Sequence, residues 1–355
     1  MSAVADPAPT PGKIVYPWEA PPGPGEAIEV ADGILWMRLP LPMALDHVNI
    51  FALDDGDGWT LIDTGFASAK MREIWAGLLS GPLGGRPVTR LIVTHHHPDH
   101  IGLAGWFQEA GAELWTTRTA WIYARMLTLD VQERPTEEAI TFYRRAGMPE
   151  ALIAERAEAR PFNFADAVAP MPPGFRRLQQ GDALQAAGRT WRVEIGHGHA
   201  PDHAVLVSES DHLILGGDQL LPSISPNIGV HPTEPEADPL AEWLASCHRF
   251  AGLAREDHLV LPGHKLPFTG LPARLRQLID NHEHALDRLA LLLETPHTAA
   301  ECFPTLFKRD IKPAEYGLAL AEAVAHLNHL LATGRVTREL SESGAWLWHA
   351  RTSRP

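Results

Sequence analysis

The spacing of apolar and polar positions changes character several times along this chain. Over residues 28–62 the apolar residues fall in short runs, Ile34, Trp36 and Leu39 first and Val48 to Leu53 next. The turn cluster Asp54-Asp55-Gly56-Asp57-Gly58 separates these from Trp59 to Ile62, so the segment predicts strands closing in a hairpin. Helical spacing follows at Ser68 to Leu79, then a strand at Val88 to Thr94, a helix at Ile101 to Ala110 and a strand at Glu113 to Thr116. Residues 118–175 break this alternation. Their periodicity is helical (Trp121, Met126 and Leu127, then Ala139, Phe142 and Tyr143), and they end in the Pro-rich stretch Pro161 to Pro173. They read as an inserted helical subdomain or lid.

Strand patterning returns at Trp191 to Ile195, Ala204 to Ser208 and His212 to Leu215. A long loop from Leu221 to Asp238, a helix at Pro239 to Leu253 and a strand at Leu259 to Leu261 complete the block. Two β-rich blocks, each with helices, predict an α/β fold: an αββα sandwich of two mixed sheets flanked by helices. From Leu271 the pattern is helix (Ala273 to Leu293), helix (Thr298 to Phe307), helix (Tyr316 to Thr333) and hairpin (Val336 to His349), the layout of a winged-helix-like small domain. The predicted organisation is a Pro-rich arm over 1–25, a two-sheet domain over 26–270 carrying the insertion 118–175, and a C-terminal domain over 271–355.

Composition narrows the class. A chain of 355 residues with 45% hydrophobic and 21% charged positions has the make-up of a globular protein of about two domains. It contains no apolar run of membrane-spanning length. Its two cysteines, Cys247 and Cys302, form neither a disulfide framework nor a CxxC pair. A formal net charge of −14 argues against a nucleic-acid backbone as partner. The first 24 residues hold seven prolines and no basic stretch leading into an apolar one, so they predict an extended arm or disordered tail and a cytoplasmic protein.

The informative segment is Thr94-His95-His96-His97-Pro98-Asp99-His100, four histidines in six residues at the end of a strand. His95 and His97, two apart, point to one side in extended geometry, while Asp99 and His100 fall in the turn entering the next helix. Such a segment offers two imidazoles to one metal and a carboxylate plus an imidazole to a second, donors that suit Zn²⁺. The embedded aspartate and the strand–loop–helix setting count against an incidental histidine-rich loop.

Four further segments occur in order: Leu61-Ile62-Asp63-Thr64-Gly65, Gly198-His199-Ala200-Pro201-Asp202-His203, Leu215-Gly216-Gly217-Asp218 and Leu261-Pro262-Gly263-His264. With the histidine cluster they resemble the landmarks of the metallo-β-lactamase superfamily over roughly residues 28–270, departing at Asp202, where glycine is usual. The resemblance implies one metal held by His95, His97 and His199, a second held by Asp99, His100 and His264, and Asp218 bridging them. Asp99 and Asp218 are then the candidate catalytic carboxylates. The implied cofactors are two divalent ions, zinc first with iron or manganese as alternatives, activating a shared hydroxide. Asp63 is expected to orient a ligand without binding metal, His203 to hold the His199 loop, His96 to pack on the opposite face, and His197 to stay outside the ligand set. His231 is a candidate pocket residue. His282, His284, His326 and His329 are expected to be structural or solvated.

The Asp218 carboxylate is similar to that of glyoxalase II-like and lactonase-like members, and neither cysteine falls at a ligand landmark. Both features point away from the antibiotic-hydrolysing members. The C-terminal module resembles the winged-helix tail of β-lactamase-like endoribonucleases, which raises an RNA- or phosphodiester-cleaving alternative. Residues 281–355, however, carry 8 Lys+Arg against 9 Asp+Glu, and a nucleic-acid-binding wing should be basic. Leu327, Leu330 and Leu331 beside Trp346 and Trp348 instead predict packing on the hydrolase domain or a homodimer contact. The expectation is a hydrolase of a small-molecule ester or thioester, with lactonase or β-lactamase-like activity as a lesser alternative and no membrane partner. Residues 118–175 would roof its pocket, with Trp121, Tyr123, Met126 and Phe142 as walls.

Overall fold

The computed structural model describes residues 12–351. Its first sheet contains β1 (Ile28–Ala31), β2 (Ile34–Pro40), β3 (His47–Asp54), β4 (Trp59–Ile62), β5 (Val88–Ile92), β6 (Glu113–Thr117) and β7 (Arg176–Leu178), hydrogen-bonded in chain order. The pairs up to β4 are antiparallel and those from β4 to β7 parallel. The second sheet contains β8 (Ala183–Ala186), β9 (Arg189–Gly196), β10 (His203–Ser208), β11 (Leu213–Gly217) and β12 (Leu259–Pro262), in the order β12-β11-β10-β9-β8. Only β11 and β12 run parallel there.

Alternation along the strands explains the layering. Trp36, Phe51 and Leu53 point into a core shared with Trp191, Val193, Leu206 and Leu215, so the two sheets face each other. The intervening Met37, Val48, Ile50 and Ala52 point the other way, onto Trp75 of α1 (Ala69–Ser80) and Phe107 of α3 (Ala104–Glu109). In β10, Val205 and Val207 likewise turn outward onto Trp243 and Phe250 of α7 (Pro239–Leu253). Both sheets are therefore mixed and helix-covered on their outer faces, the αββα sandwich expected.

Between α3 and α7, the chain also forms α4 (Arg118–Leu129), α5 (Glu137–Arg145) and α6 (Glu150–Glu158), while the four-residue α2 (Pro98–Ile101) follows β5. The C-terminal part consists of α8 (Leu271–Leu292), α9 (Phe303–Phe307), α10 (Tyr316–Ala332) and the hairpin β13 (Val336–Leu340) and β14 (Trp346–Ala350). Leu327, Leu330 and Trp348 are buried within the same core as α7 and α8, so they pack inside this chain and are not free for contact with another copy. No helix among the described residues is long and apolar enough to cross a membrane.

Three sequence expectations change. Residues 1–11 of the predicted arm lie outside the described residues, but the rest is not a loose tail. Val15 pairs with Thr269 through backbone bonds of 3.2 and 2.9 Å, and the Trp18 ring stands edge-on to Trp36 at 6.3 Å. The short strands β7 and β8 carry no apolar run and were not anticipated. The 118–175 insertion divides its loyalties: α4 packs near the histidine cluster, whereas Ala146 after α5 accepts a backbone hydrogen bond of 3.1 Å from Ala300.

One buried amide ties the sandwich to the loop after β12. Asn49 on β3 accepts from the Trp36 indole (3.0 Å) and Arg38 Nε (3.1 Å), and it donates to the carbonyls of Pro262 (2.9 Å) and Lys265 (2.8 Å). Asn49→Ala removes four hydrogen bonds and leaves the Lys265 carbonyl with Arg38 alone, and the expected loss is roughly 2–3 kcal/mol of unfolding free energy. A urea midpoint unchanged from wild type would contradict that accounting.

Candidate metal centre

Strand ends deliver the polar cluster. The chain leaves β5 at Ile92 and passes through Thr94–His100 into α2; the β9–β10 turn supplies His199; β11 ends before Asp218; and β12 ends before His264. All seven residues singled out as metal-ligating in the sequence meet at this edge. His95, His97 and His199 form one group of donor atoms lying within 4.8 Å of one another, and Asp99, His100 and His264 form another. Asp218 lies between the groups. One of its oxygens is 3.4 Å from His199 Nε2 and 3.2 Å from His264 Nε2, and the other is 3.4 Å from His100 Nε2. Within the first group His95 Nε2 and His97 Nδ1 are 2.9 Å apart.

Each of four imidazoles has its outer nitrogen backed by a fixed acceptor. His100 Nδ1 donates to Asp63 (2.8 Å), His199 Nδ1 to the Asn227 carbonyl (2.9 Å) and His264 Nδ1 to the His47 carbonyl (2.6 Å). His95 Nδ1 meets the Thr94 hydroxyl (3.0 Å), which in turn donates to Asp63 (2.9 Å). A proton on the outer nitrogen leaves the inner lone pair free for a cation. His100 Nε2, His199 Nε2 and Asp218 Oδ1 are buried without a hydrogen-bond partner. Orphaned acceptors of this kind in a buried pocket are what bound divalent cations would satisfy, and the nitrogen–oxygen donor set suits zinc.

The electrostatics agree. Burial, reinforced by the neighbouring imidazoles, holds His95 and His97 well below the ordinary histidine range. Burial also opposes charge on His100, but Asp218, Asp99 and Asp63 outweigh it and drive that ring well above its usual value. His264 reaches about 9 against the same desolvation, because Asp218 and Asp99 face it. Asp218 resists desolvation because His264 and His100 stabilise its carboxylate. The site thus demands positive charge, by proton or by cation.

Unusual backbone surrounds the donor cluster. Asp63, Asp202 and Lys265 take left-handed φ values of 64°, 53° and 70°, as does Gly217 at 48°. The left-handed turn at 202 accounts for the glycine usual there, and aspartate is among the side chains that tolerate it. Its carboxylate also accepts from the Thr119 hydroxyl. A side chain at Gly263 would collide with Asp218 and His100, so the loop reaches His264 only through glycine.

The neighbouring histidines separate by role. His96 joins neither donor group; its ring lies 4.7 Å from that of His97 and packs against Tyr123 (5.3 Å) and the parallel ring of Phe164 (6.1 Å). His197 turns toward Asp202 at 3.6 Å and joins neither donor group. His203 does not brace the His199 loop as expected. Its Nε2 accepts from the backbone N–H of Asp218 (3.0 Å), and its ring stacks on His95 at 4.6 Å. His231 is exposed, beside Gly229 and Asn227. His282 and His326 are buried and hydrogen-bonded to each other at 3.2 Å, and His329 pairs with Asp238. Of the proposed pocket walls, only Tyr123 is placed against this histidine cluster. Trp121 stacks on Phe175 at 4.9 Å, Phe142 belongs to the core shared with the C-terminal helices, and Met126 faces outward.

Contributions without a sequence signal come from the loop over residues 218–238 and from α10. Asn227, whose carbonyl backs His199, gives its side-chain amide to Glu322 (2.9 Å) and to the Leu318 carbonyl (3.2 Å) on α10. Val230 donates to the Ala321 carbonyl (3.1 Å).

The model of the metallo-beta-lactamase superfamily matches residues 43–293, and that of a metallo-beta-lactamase-like C-terminal domain matches residues 286–351. The chain belongs to the metallo-beta-lactamase superfamily and is a metal-dependent hydrolase. It is 26% identical over 313 residues to the probable metallo-hydrolase YqjP of Bacillus subtilis, a match covering 86% of this chain and 94% of that one. Among solved structures it is similar to a beta-lactamase domain protein from Burkholderia ambifaria. That match has 36% identity and a TM-score of 0.87, covering 95% of this chain and 98% of the other. It is also similar to a metallo-beta-lactamase family protein from Thermus thermophilus, with 29% identity, a TM-score of 0.76 and coverage of 91% and 100%.

Glu322 permits a test of the α10 contact. Burial pushes its carboxyl up to about 7, against the opposing influence of the Asn227 amide and Arg309. A proton held more tightly in the folded state favours folding in acid, and that advantage fades as pH rises from the unfolded carboxyl range through 7. Glu322→Gln keeps an acceptor for Asn227 and removes the charge. With chelator present throughout, it is expected to melt roughly 2 °C or more above wild type at pH 8, with the gap closing at pH 5. An equal offset at both pH values would reject the assignment.

Proposed function

We propose that this protein hydrolyses a small-molecule ester or thioester at a centre holding two divalent metal ions. The single observation that carries the reading is the pairing of two three-residue donor groups with one carboxylate, Asp218, in reach of both. His95, His97 and His199 would hold one ion, Asp99, His100 and His264 the second, with Asp218 between them. Zinc is the ion that best fits the imidazole-rich donors, with iron and manganese as alternatives. Such ions supply water acidified to near neutral pH and polarise the carbonyl under attack.

The rest is the work of side chains. Asp218, its backbone N–H fixed by His203, orients the attacking water and relays its proton. That proton goes to the departing alkoxide or thiolate, so that acid and alcohol or thiol leave as products. Asp63 keeps His100 in the tautomer whose lone pair faces inward. His96, Tyr123 and Phe164 form a continuous aromatic wall beside the cluster, a surface suited to an acyl group. The near-neutral charge balance of residues 281–355 supports a small substrate over a nucleic-acid one.

Protein purified without chelator is expected to carry two divalent ions per chain by elemental analysis and to cleave members of a panel of thioesters, esters and lactones. Single-stranded RNA should survive. Asp218→Ala should lower turnover by at least about 10²-fold while circular dichroism stays unchanged. Full turnover in that variant, or cleavage confined to RNA, would sink the proposal. Asp63→Asn preserves the left-handed backbone but removes the charge behind His100. Its affinity for metal, followed by competition with a chromogenic chelator, should fall roughly 10-fold or more.

A further inference from the structure

We propose that a cleft beside the metal centre, between α4, β7 and α7, binds a phosphate group carried by the leaving portion of the substrate. The inference rests on the hydrolase reading above and extends it to substrate class. The cleft encloses about 670 Å³, and its lining includes Thr117, Arg118, Arg177, His197, Asp202 and Arg249. That size suits a small polar ligand group.

Its charge sets it apart in a chain of net −14. Arg118 and Arg177 have no carboxylate within ion-pair distance among the described residues and are exposed. Arg249 is held in place by Glu194 (2.9 Å) and by the Ile195 carbonyl, but Glu194 also pairs with Arg192 (3.2 Å). One carboxylate therefore serves two guanidiniums. Asp202, the sole carboxylate of the lining, is engaged by the Thr119 hydroxyl and His197. Thr117 caps the 12-residue α4, so the positive end of that helix opens on the same space. Guanidiniums from separate elements beside a helix N-terminus make the geometry that recognises phosphate oxygens.

Position links the cleft to the chemistry. His197 and Asp202 bracket His199 in the β9–β10 turn, and Thr117 ends β6, the strand next to β5 that leads into Thr94–His100. A substrate with its reactive carbonyl at the donor cluster can thus extend its leaving group past His199 into the cleft. The compounds that fit are acyl esters or thioesters of phosphorylated carriers.

The decisive comparison uses S-acetyl-pantetheine 4′-phosphate and S-acetyl-pantetheine, which share a thioester and differ by one phosphate. Wild-type protein is expected to favour the phosphorylated compound at least about tenfold in kcat/KM. Arg118→Ala/Arg177→Ala should bring the ratio near one while leaving kcat/KM for S-acetyl-pantetheine unchanged. Calorimetry with adenosine 3′,5′-bisphosphate on chelator-treated full-length protein gives a readout independent of turnover, and binding should drop at least tenfold in the double variant. Equal kcat/KM for the two thioesters, or bisphosphate binding that ignores both arginines, overturns the cleft assignment. Failure to cleave either thioester bears instead on the hydrolase reading, and arginine-dependent binding in the calorimeter would still uphold the cleft.

Discussion

The structure turns on one electrostatic demand. Five imidazoles and two carboxylates converge at the edge of a two-sheet sandwich, and several of their inward atoms have no hydrogen-bond partner within the protein. Leaving such atoms buried and unpaired costs several kcal/mol in total, so the arrangement makes physical sense only around positive charge. The left-handed aspartate at 63, the bare backbone at Gly263 and the backing acceptors behind His95, His100, His199 and His264 all follow from holding those atoms at close quarters.

Much of this was legible in the sequence because the first half of the site is local. Thr94–His100 places four of the seven donors within six positions, and the transition from strand to helix fixes which side each faces. His199, Asp218 and His264 were legible for another reason: the segments that end in them, or that contain them, resemble the landmarks of the superfamily in the same order along the chain. The supporting contacts were illegible. His264 is held by the carbonyl of His47, and His199 by the carbonyl of Asn227. A carbonyl is common to every residue, so nothing in the side-chain pattern reveals such a role. Glu322 lies 95 residues from the Asn227 it anchors and has no motif around it.

The fold followed a similar division. Strands buried on both faces, such as β3 and β10, announced themselves as apolar runs. The short β7 and β8 did not, since exposed arginine, glutamine and alanine at a sheet margin carry little periodic signal. His203 illustrates a subtler limit. Its nearness to His199 in sequence suggested that it braced that loop, yet the strand it begins runs beside β11 and carries it to the amide of Asp218 instead. Neighbours across a sheet outrank neighbours along the chain when a buried ring must find a partner.

The C-terminal helices are part of the site's construction. The loop over residues 218–238 passes directly behind His199 and contains no regular structure, so its backbone groups need partners from elsewhere. Several of those partners come from beyond residue 270. Arg274 on α8 donates to the carbonyls of Leu221 (2.6 Å) and Ile224 (2.8 Å), and Asn328 on α10 donates to those of Pro235 (3.0 Å) and Ala237 (2.9 Å). Glu322 and the Leu318 carbonyl hold Asn227 between these two grips. The loop is thus clamped at both ends and near its middle by helices whose apolar faces share a core with the outer side of the second sheet. An imidazole positioned by a loop carbonyl is only as rigid as the loop, and here that rigidity is borrowed from α8 and α10. The helical C-terminal region therefore acts as structural backing for the hydrolytic edge, a role that needs neither basic charge nor a nucleic-acid partner.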